Sequence, residues 1–225
     1  MSEQANYNMG KVTKTALLAG ATGLVGSHLL SLLLNDTTYI KVKCITRRAI
    51  PIAHPRLEVI LTDWSNLDQL TEQLEADDVF CCLGTTMKQA GGKEAFRQVD
   101  YHYPLQLAKA TLALGASQYL LVSALGANAR SAVFYNRTKG EVEKSIEAVG
   151  FASFHIFRPA LLLGLRQVVR SGEGAATWFF KWFDFLIPRN FKAIDAAKVA
   201  SAMWAAASKE KRGVSIYESG ELQLY

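Results

Sequence analysis

The 225 residues include 25 basic and 20 acidic side chains, giving a formal net charge of +5. Half of the chain is apolar, so one large α/β core can form without disulfides or metal. The three cysteines are odd in number and lack zinc-ligand spacing, which argues against a disulfide framework or a metal site and predicts buried, reduced thiols. The charges are spread along the chain rather than clustered, which argues against nucleic-acid binding.

The chain begins with a polar segment, residues 1–14, which has scattered lysines and lacks the apolar core of a secretory signal. No later apolar run approaches the ~18 residues that a membrane span needs. We therefore expect a flexible N-terminal arm, no membrane span, and a soluble cytoplasmic protein.

Short apolar, β-branched runs then alternate with longer helical patterns. The predicted strands are Thr15–Ala19, Lys41–Thr46, Leu57–Leu61, Val79–Leu83, Gln118–Ser123, Phe154–Arg158 and a late one near Val214–Tyr217. The predicted helices cover Gly23–Asn35, Asn66–Glu75, Tyr103–Leu114, Tyr135–Val149 and Ala196–Ala207. Near-continuous apolar strands suit a parallel sheet that is buried on both faces, and the alternation indicates right-handed crossovers. The sequence predicts an α/β fold, a doubly wound parallel sheet of the Rossmann type, as one domain over residues 15–225.

A glycine-rich loop, Gly20–Gly26, joins the first predicted strand to the first predicted helix. Gly20 would permit the tight turn, Gly23 would let the backbone approach a pyrophosphate, and Gly26 would let the helix pack close to the strand. The helix N-terminus adds free N–H groups and a partial positive charge. The residues expected to contact a dinucleotide are Gly20, Thr22, Gly23, Leu24, Val25 and Gly26. The alternative is a tight turn that binds no ligand.

The end of the second predicted strand indicates which dinucleotide is bound. NAD sites usually place an Asp or Glu about 20 residues beyond the glycine loop, whereas this chain has Thr46, Arg47 and Arg48 there. A guanidinium can hold a 2′-phosphate through two hydrogen bonds, and a carboxylate would repel it. Arg47 and Arg48 therefore predict NADP(H) rather than NAD(H). The alternative is that both arginines merely solvate a strand end.

Three residues form a candidate catalytic group. Tyr135 and Lys139 lie four residues apart on a predicted helix, so their side chains share a face. A nearby ammonium favours the phenolate that acid–base chemistry at neutral pH requires. Ser123 ends a predicted strand, where parallel sheets bind ligands, and its hydroxyl can orient a substrate carbonyl or alcohol. The alternative is a surface tyrosine beside a solvated lysine.

This combination resembles the atypical short-chain dehydrogenase/reductases, and within them the NADPH-binding branch that contains the Tat-interacting protein. The similarity runs from about Thr15 to near the C-terminus. The matching stretches are Gly20–Gly26, Thr46–Arg48, Phe80–Thr86, Val99–Asp100, Tyr135–Glu143 and Phe157–Pro159. The glycine loop and the Tyr–Lys pair are common to the whole superfamily, whereas the stretches Cys81–Thr86 and Lys139–Glu143 are more specific to the branch.

The resemblance implies further cofactor contacts after the third and fourth strands. Asp63 would lie near the adenine ring. Leu83, Gly84 and Thr85 would line the ribose and the pyrophosphate, which agrees with their place at the carboxyl end of a predicted strand.

The resemblance also implies a nicotinamide end, bordered by Arg158 and Leu161, where Tyr135 and Lys139 contact the cofactor. One residue departs from the family pattern. Many members of the superfamily carry an Asn in the active-site hydrogen-bond network, and this chain has Asp100 in that neighbourhood. Because an ionised carboxylate cannot donate a hydrogen bond, a complete proton relay is not assured by the resemblance.

Residues 160–194 are expected to form a small substrate-side region in the C-terminal part of the chain. Within it, residues 178–187 contain six aromatic side chains, and on a helix these would cover nearly every face. Three interpretations stay open: packing against the core, a lid over an apolar substrate, or a contact with a second copy, a protein partner or a membrane surface. Only about 65 residues follow Pro159, which argues against a bulky nucleotide-sugar substrate.

The expected function is NADP(H)-dependent reduction or oxidation of a small carbonyl or alcohol substrate. Tyr135 would donate the proton to the carbonyl oxygen, Lys139 would promote its release and hold the cofactor ribose, and Ser123 would fix the carbonyl oxygen. The alternative is an NADP(H)-sensing module that binds a protein partner and has little or no catalytic activity.

Overall fold

The structure, a computed structural model, describes residues 13–65, 67–163 and 191–225. Its strands are β1 (Lys14–Ala19), β2 (Tyr39–Thr46), β3 (Leu57–Leu61), β4 (Asp78–Cys81), β5 (Gln118–Val122), β6 (Ser153–Arg158), β7 (Leu162–Leu163), β8 (Ile194–Asp195) and β9 (Gly213–Glu218). Its α-helices are α1 (Leu24–Asn35), α2 (Met87–Ala90), α3 (Lys93–Arg97), α4 (Tyr103–Ala113), α5 (Phe134–Glu147), α6 (Ala196–Lys209) and α7 (Ser219–Leu222).

Seven of the described strands form one parallel sheet in the order β3-β2-β1-β4-β5-β6-β9, and β7 pairs with β8 separately. The predicted doubly wound parallel sheet is therefore confirmed. From β1 the chain adds β2 and β3 on one side and then returns to place β4 on the other side. This reversal leaves a crevice at the carboxyl ends of β1 and β4, which is where open α/β sheets bind ligands.

Two apolar layers hold the helices against the sheet. On one face, Leu29 and Leu33 of α1 pack with Met203 of α6. On the other face, Leu107 of α4 packs with Val142 of α5. Burying such a leucine completely contributes roughly 2 kcal/mol. The central strands β4 and β5 are buried along their whole length. This agrees with their near-continuous apolar sequences, which are typical of strands inside a parallel sheet.

The helix predicted over Asn66–Glu75 is wrong. The described part of this segment forms two 3-10 turns, Leu67–Gln69 and Thr71–Leu74. In the first turn the Leu70 N–H donates to the carbonyl of Leu67, at 3.1 Å. Such short turns suit a compact connection in which both Leu67 and Leu74 must reach the core, so tertiary packing overrides the helical pattern here.

The helix predicted from Tyr103 has additional turns before it. Helix α3 continues through a π-helical turn, Gln98–His102, into α4. Pro104 has no N–H, so the regular bond to the carbonyl of Asp100 cannot form. Instead the N–H of Tyr103 donates to the carbonyl of Gln98, five residues earlier. The widened turn buries the side chain of Asp100.

A buried histidine on β6 has both ring nitrogens in hydrogen bonds. Ser153 Oγ donates to the carbonyl of Lys211, so the Nε2–H of His155 donates to Ser153 Oγ at 3.0 Å. The other nitrogen, Nδ1, then accepts from the hydroxyl of Tyr217 at 3.2 Å. Burial, with a smaller contribution from the charge of Lys211, lowers the pKa of His155 to about 4. The ring is therefore neutral in the folded protein at neutral pH.

We expect His155 to make folding sensitive to acid. The pKa of His155 is about 4 in the folded chain and 6.5 in a free histidine. The unfolded chain therefore binds more protons than the folded chain between pH 6.5 and pH 4, and stability is lost as the pH falls through this range. The maximum loss is about 3 kcal/mol. Urea unfolding at pH 7.5 and 5 should show a smaller pH-dependent loss for His155→Gln than for the wild type. The matched control is His28→Gln, at an exposed position on α1. Equal losses in all three proteins would contradict the assignment.

Candidate functional site

A cavity of about 610 Å³ lies at the carboxyl ends of β1, β2 and β4. We call it the β1–β4 cavity. The predicted cofactor-binding residues that line it are Gly20, Thr22, Gly23, Arg47, Arg48, Leu83, Gly84 and Thr85. Residues from three separate predicted loops therefore meet at one crevice.

The glycine loop requires glycine at two of its three positions, Gly20 and Gly26. Gly20 has φ +87°, and a Cβ there would lie 2.5 Å from the carbonyl oxygen of Cys82. A Cβ on Gly26 would overlap the carbonyl oxygen of Gly20. Gly23 caps α1 without any side-chain hydrogen bond, and the first turn of α1 has no acidic residue. The free N–H groups of this helix end therefore remain available to an anion such as a phosphate.

Other residues of the loop and its helix do not line the β1–β4 cavity. Val25 and Gly26 are buried in the first turn of α1, and Leu24 precedes them. These three residues form the first turn of α1, and they could contact a bound molecule only through backbone groups at the helix end.

Two arginines follow β2 at the edge of the β1–β4 cavity. Arg47 and Arg48 are exposed, and neither guanidinium makes a hydrogen bond or an ion pair with the described residues. The loop is held by Thr46, whose Oγ1 accepts from the N–H of Arg48 at 3.3 Å. Among the described residues that line the cavity, none is acidic. This end of the cavity can therefore hold a dianionic group.

An aromatic pair that the sequence analysis missed lies in the same wall. Trp64 has φ +73°, is 4% exposed, and stacks on Tyr103 with ring centroids 5.2 Å apart. Both rings line the β1–β4 cavity. A tryptophan three residues after the third predicted strand was the available signal, and the sequence analysis assigned it no role.

Asp63 does not line the cavity, although the resemblance placed it near an adenine ring. Its carboxylate accepts from the N–H of Ser65 at 2.9 Å and from the hydroxyl of Ser65 at 2.6 Å. These hydrogen bonds lower the pKa of Asp63. The side chain thus closes a local turn, and any contact with a ligand would have to be made from there.

Tyr135 and Lys139 share a face of α5, close to the loop that follows β4. Lys139 Nζ lies 2.7 Å from Asp100 Oδ1, and the two side chains are 5% and 0% exposed. The contact is an ion pair without the direction of a good hydrogen bond, because Oδ1 has no hydrogen-bond partner among the described atoms. The other oxygen, Oδ2, accepts from the N–H of Thr85 at 2.9 Å. Burial opposes the charge on Lys139, but the Asp100 carboxylate and other neighbours outweigh it and raise its pKa.

The ion pair lies directly behind the wall of the β1–β4 cavity. A Cβ on Gly84 would be 3.5 Å from Asp100 Oδ1 and 3.8 Å from Lys139 Nζ. Gly84 and Thr85 themselves line the cavity. The buried pair can therefore act on a molecule in the cavity only past this short backbone segment.

Ser123 follows β5 and is bonded to a carboxylate that the sequence analysis did not single out. Its hydroxyl donates to Glu143 Oε1, and Glu143 lies one helical turn beyond Lys139 on α5. Arg158 holds the same carboxylate through Nε at 3.0 Å and a terminal nitrogen at 2.6 Å. It also donates to Glu218 at 2.9 Å. The spacing of Tyr135, Lys139 and Glu143 was the signal that could have revealed this residue.

These hydrogen bonds hold the side chains of two residues that the sequence placed in the site, Arg158 and Ser123. The hydrogen bonds that Arg158 donates to Glu143, reinforced by the charges of Glu143 and Glu218, raise the pKa of Arg158, so the guanidinium is a fixed cation bound to protein carboxylates. Ser123 has one hydroxyl hydrogen, which is directed at Glu143.

Leu161, which was predicted to border the nicotinamide, is 63% exposed beside β7. Most of the predicted region 160–194, including the aromatic residues 178–187, lies outside the described residues.

Residues 20–162 match the profile of a protein family described as NAD(P)H-binding. The mitochondrial protein FMP52 of Eremothecium gossypii is 34% identical over 216 residues, which cover 92% of this chain and 95% of that protein. Protein HTATIP2 of Rattus norvegicus is 36% identical over 171 residues, which cover 74% of this chain and 70% of that protein. The resemblance to the branch containing the Tat-interacting protein is confirmed by these matches.

Solved structures share the fold. The Bordetella bronchiseptica enzyme WbmH, in complex with NAD+, has a TM-score of 0.68 at 20% identity, with 92% of this chain and 76% of that chain covered. The UDP-glucose 4-epimerase of Thermotoga maritima, with UDP-glucose, has a TM-score of 0.68 at 14% identity, with 92% and 77% covered. At these identities the similarity shows a common fold and nothing finer.

The expected cytoplasmic location is contradicted by the relatives. The FMP52 proteins of Eremothecium gossypii, Candida glabrata and Aspergillus fumigatus are all named mitochondrial. The apolar segment that marks a secretory signal is not a feature of mitochondrial targeting, so its absence from residues 1–14 does not bear on a mitochondrial location. Among the described residues, no helix combines the length and the apolar character needed to cross a bilayer.

Proposed function

The chain belongs to the NAD(P)H-binding family, and on that premise we propose that it is an NADP(H)-dependent oxidoreductase acting on a small carbonyl or alcohol. The observation that carries the proposal is the β1–β4 cavity, in which a helix N-terminus without a side-chain cap faces the same crevice as Arg47 and Arg48. The glycine loop excludes any Cβ at Gly20 and Gly26. These residues fit a dinucleotide pyrophosphate.

The preference for NADP(H) rests on charge. The 2′-phosphate that distinguishes NADP(H) from NAD(H) is dianionic near neutral pH. Arg47 and Arg48 have no competing partner among the described residues, and the described lining of the cavity contains no carboxylate. Each guanidinium can donate two hydrogen bonds to phosphate oxygens, so the phosphate would be bound at the carboxyl end of β2. The stacked Trp64 and Tyr103 would offer an apolar surface beside it.

The chemistry on the chain's side is a proton transfer. When bound, the cofactor supplies a hydride to the carbonyl carbon. Tyr135 gives its hydroxyl proton to the carbonyl oxygen, which becomes the alcohol, and the phenolate is then reprotonated from solvent. Lys139 stabilises that phenolate by its charge. Ser123 fixes the carbonyl oxygen once its hydroxyl turns away from Glu143, whose carboxylate stays bound by Arg158.

A second function is favoured by one feature of the same site. Lys139 is tied to Asp100, and the hydroxyl of Ser123 is directed at Glu143, so two of the three proposed catalytic groups already have partners. A sensor of NADP(H) that passes its occupancy to a protein partner would need the cavity and not the proton transfer. Such a module would bind NADPH and show no turnover of any small carbonyl.

We expect Arg47→Ala/Arg48→Ala to lose NADPH affinity selectively. Because both arginines are exposed and solvent screens their charge, each contributes about 1.4 kcal/mol net, so the dissociation constant for NADPH should rise roughly 100-fold, whereas NADH binding should change little. Titrations followed by cofactor fluorescence measure both constants. The matched control is Arg130→Ala/Arg212→Ala, which removes the same charge from exposed positions outside the cavity. Equal weakening of NADPH and NADH by the first variant would refute NADP(H) selectivity, and no binding of either to the wild type would refute the proposal.

A further inference from the structure

One short segment lies between the β1–β4 cavity and the proposed catalytic side chains. It consists of α3 and the π-helical turn that follows it, Lys93 to His102. Three of its residues line the cavity: Ala95, Gln98 and Val99. Positions separated by three and four residues lie on one side of a helix, so the segment presents a continuous face to whatever occupies the cavity.

The other side of the same segment holds Tyr135. Phe96 is 0% exposed, and its ring centroid lies 5.4 Å from that of Tyr135 and 5.9 Å from that of Phe134. Further along, Asp100 carries the ion pair to Lys139. A single helical segment therefore contacts the cavity with one face and both Tyr135 and Lys139 with the other.

We infer that Phe96 is a positioning residue through which occupancy of the β1–β4 cavity sets the orientation of the Tyr135 ring. The inference rests on the proposed function, because the occupant is the dinucleotide. A hydrogen-bonded helical turn moves as a unit, and close-packed rings transmit small displacements instead of absorbing them. A molecule seated against Ala95, Gln98 and Val99 would thus act on Tyr135 through the ring of Phe96.

A second phenylalanine–tyrosine contact has similar geometry but lies away from the β1–β4 cavity. Phe151 is buried and packs on Tyr119 with centroids 5.2 Å apart and planes at 45°, and Phe96 packs on Tyr135 at 5.4 Å and 45°. Neither Phe151 nor Tyr119 lines the β1–β4 cavity. Replacing either phenylalanine by leucine removes the same ring from a tyrosine contact of similar geometry, so the two variants lose packing of the same kind but differ in their connection to the cavity.

The experiment uses the full chain labelled with 3-fluorotyrosine and fluorine NMR. The resonance of Tyr135 is identified, among the eight tyrosines, as the one missing from Tyr135→Phe. NADPH is added to the wild type, Phe96→Leu and Phe151→Leu, while cofactor fluorescence reports binding in the same samples. We expect NADPH to displace the Tyr135 resonance in the wild type and in Phe151→Leu, and this displacement to be at least halved in Phe96→Leu although NADPH still binds. Melting temperatures of the two leucine variants should fall by similar amounts.

The possible outcomes distinguish a failure of the coupling through Phe96 from a failure of the proposed function. If NADPH binds but the Tyr135 resonance of Phe96→Leu is displaced as in the wild type, or never moves in the wild type, the coupling through Phe96 is overturned while the cofactor site stands. If Phe151→Leu also loses the displacement, a general loss of packing explains the effect and the inference is overturned. If the wild type does not bind NADPH, the proposed function fails and the inference fails with it.

Discussion

Replacing Asp100 by Asn is expected to lower the free energy of unfolding by about 3–5 kcal/mol at neutral pH. Asn keeps the size of the side chain and can still accept from the N–H of Thr85. It cannot neutralise Lys139, whose ammonium is 5% exposed. The variant therefore leaves a buried cation without its partner, which costs far more than the hydrogen bond itself. Urea unfolding followed by far-ultraviolet circular dichroism measures the change.

The same two segments supply a control for this result. Arg97 and Glu141 join α3 to α5 with 2.5 Å between their charged atoms, but their side chains are 31% and 30% exposed. Glu141→Gln should cost less than about 1 kcal/mol, because solvent screens an exposed pair. Adding Lys139→Met to Asp100→Asn should recover much of the lost stability, since the unpaired cation is then gone. A loss for Asp100→Asn no larger than that for Glu141→Gln would contradict a stabilising role of the buried pair.

Tyr135→Phe is expected to reduce carbonyl turnover at least ~100-fold while NADPH affinity is unchanged. The substitution removes one hydroxyl, which makes no hydrogen bond with the described residues and does not line the β1–β4 cavity. Folding and cofactor binding should therefore be preserved. Oxidation of NADPH across a panel of small aldehydes and ketones gives the rates, and cofactor fluorescence gives the affinity.

Tyr101→Phe is the matched control for Tyr135→Phe. Its hydroxyl lies 3.1 Å from Ser145 Oγ, on the outer side of α4 and α5, and Tyr101 is not part of the cavity. Full activity in Tyr101→Phe and loss in Tyr135→Phe would support proton donation by Tyr135. Retained activity in Tyr135→Phe would contradict that role. If the wild type binds NADPH and reduces none of the panel, the sensor is the better description.

The fold was predictable because its signals are local and mutually consistent. Strands such as β1 are short apolar runs, and the loop Gly20–Gly26 follows β1 and opens α1. Gly23 and Gly26 both lie close to the carbonyl oxygen of Gly20, a few residues away in the sequence, whereas Gly20 lies close to the distant carbonyl of Cys82. The arginines after β2 were equally visible, since position after a strand end is enough to bring a side chain to the carboxyl edge of the sheet.

The partners of the predicted residues were not predictable, because they come from distant parts of the chain. No sequence pattern indicates that Ser123 bonds to Glu143, or that Arg158 joins Glu143 to Glu218. The π-helical turn that buries Asp100 depends on a missing N–H at Pro104, whose effect depends on the surrounding helices. Sequence reasoning therefore located the candidate catalytic residues but not the ion pair that holds Lys139 or the hydrogen bond that holds Ser123.

The ion pair between Arg158 and Glu218 also bears on the order in which the protein can mature during synthesis. Every residue of the β1–β4 cavity precedes α5, whereas Glu218 is at the end of β9, which pairs with β6 at the edge of the sheet. A nascent chain that has extruded only as far as β6 holds every residue of the cavity, but it still lacks one of the two carboxylates of Arg158 and the helix α6 that packs on α1. A ribosome stalled before β9 should therefore display a chain that neither retains NADPH nor resists protease around α5, and both properties should appear together once α6 and β9 have emerged, since domains generally fold as units.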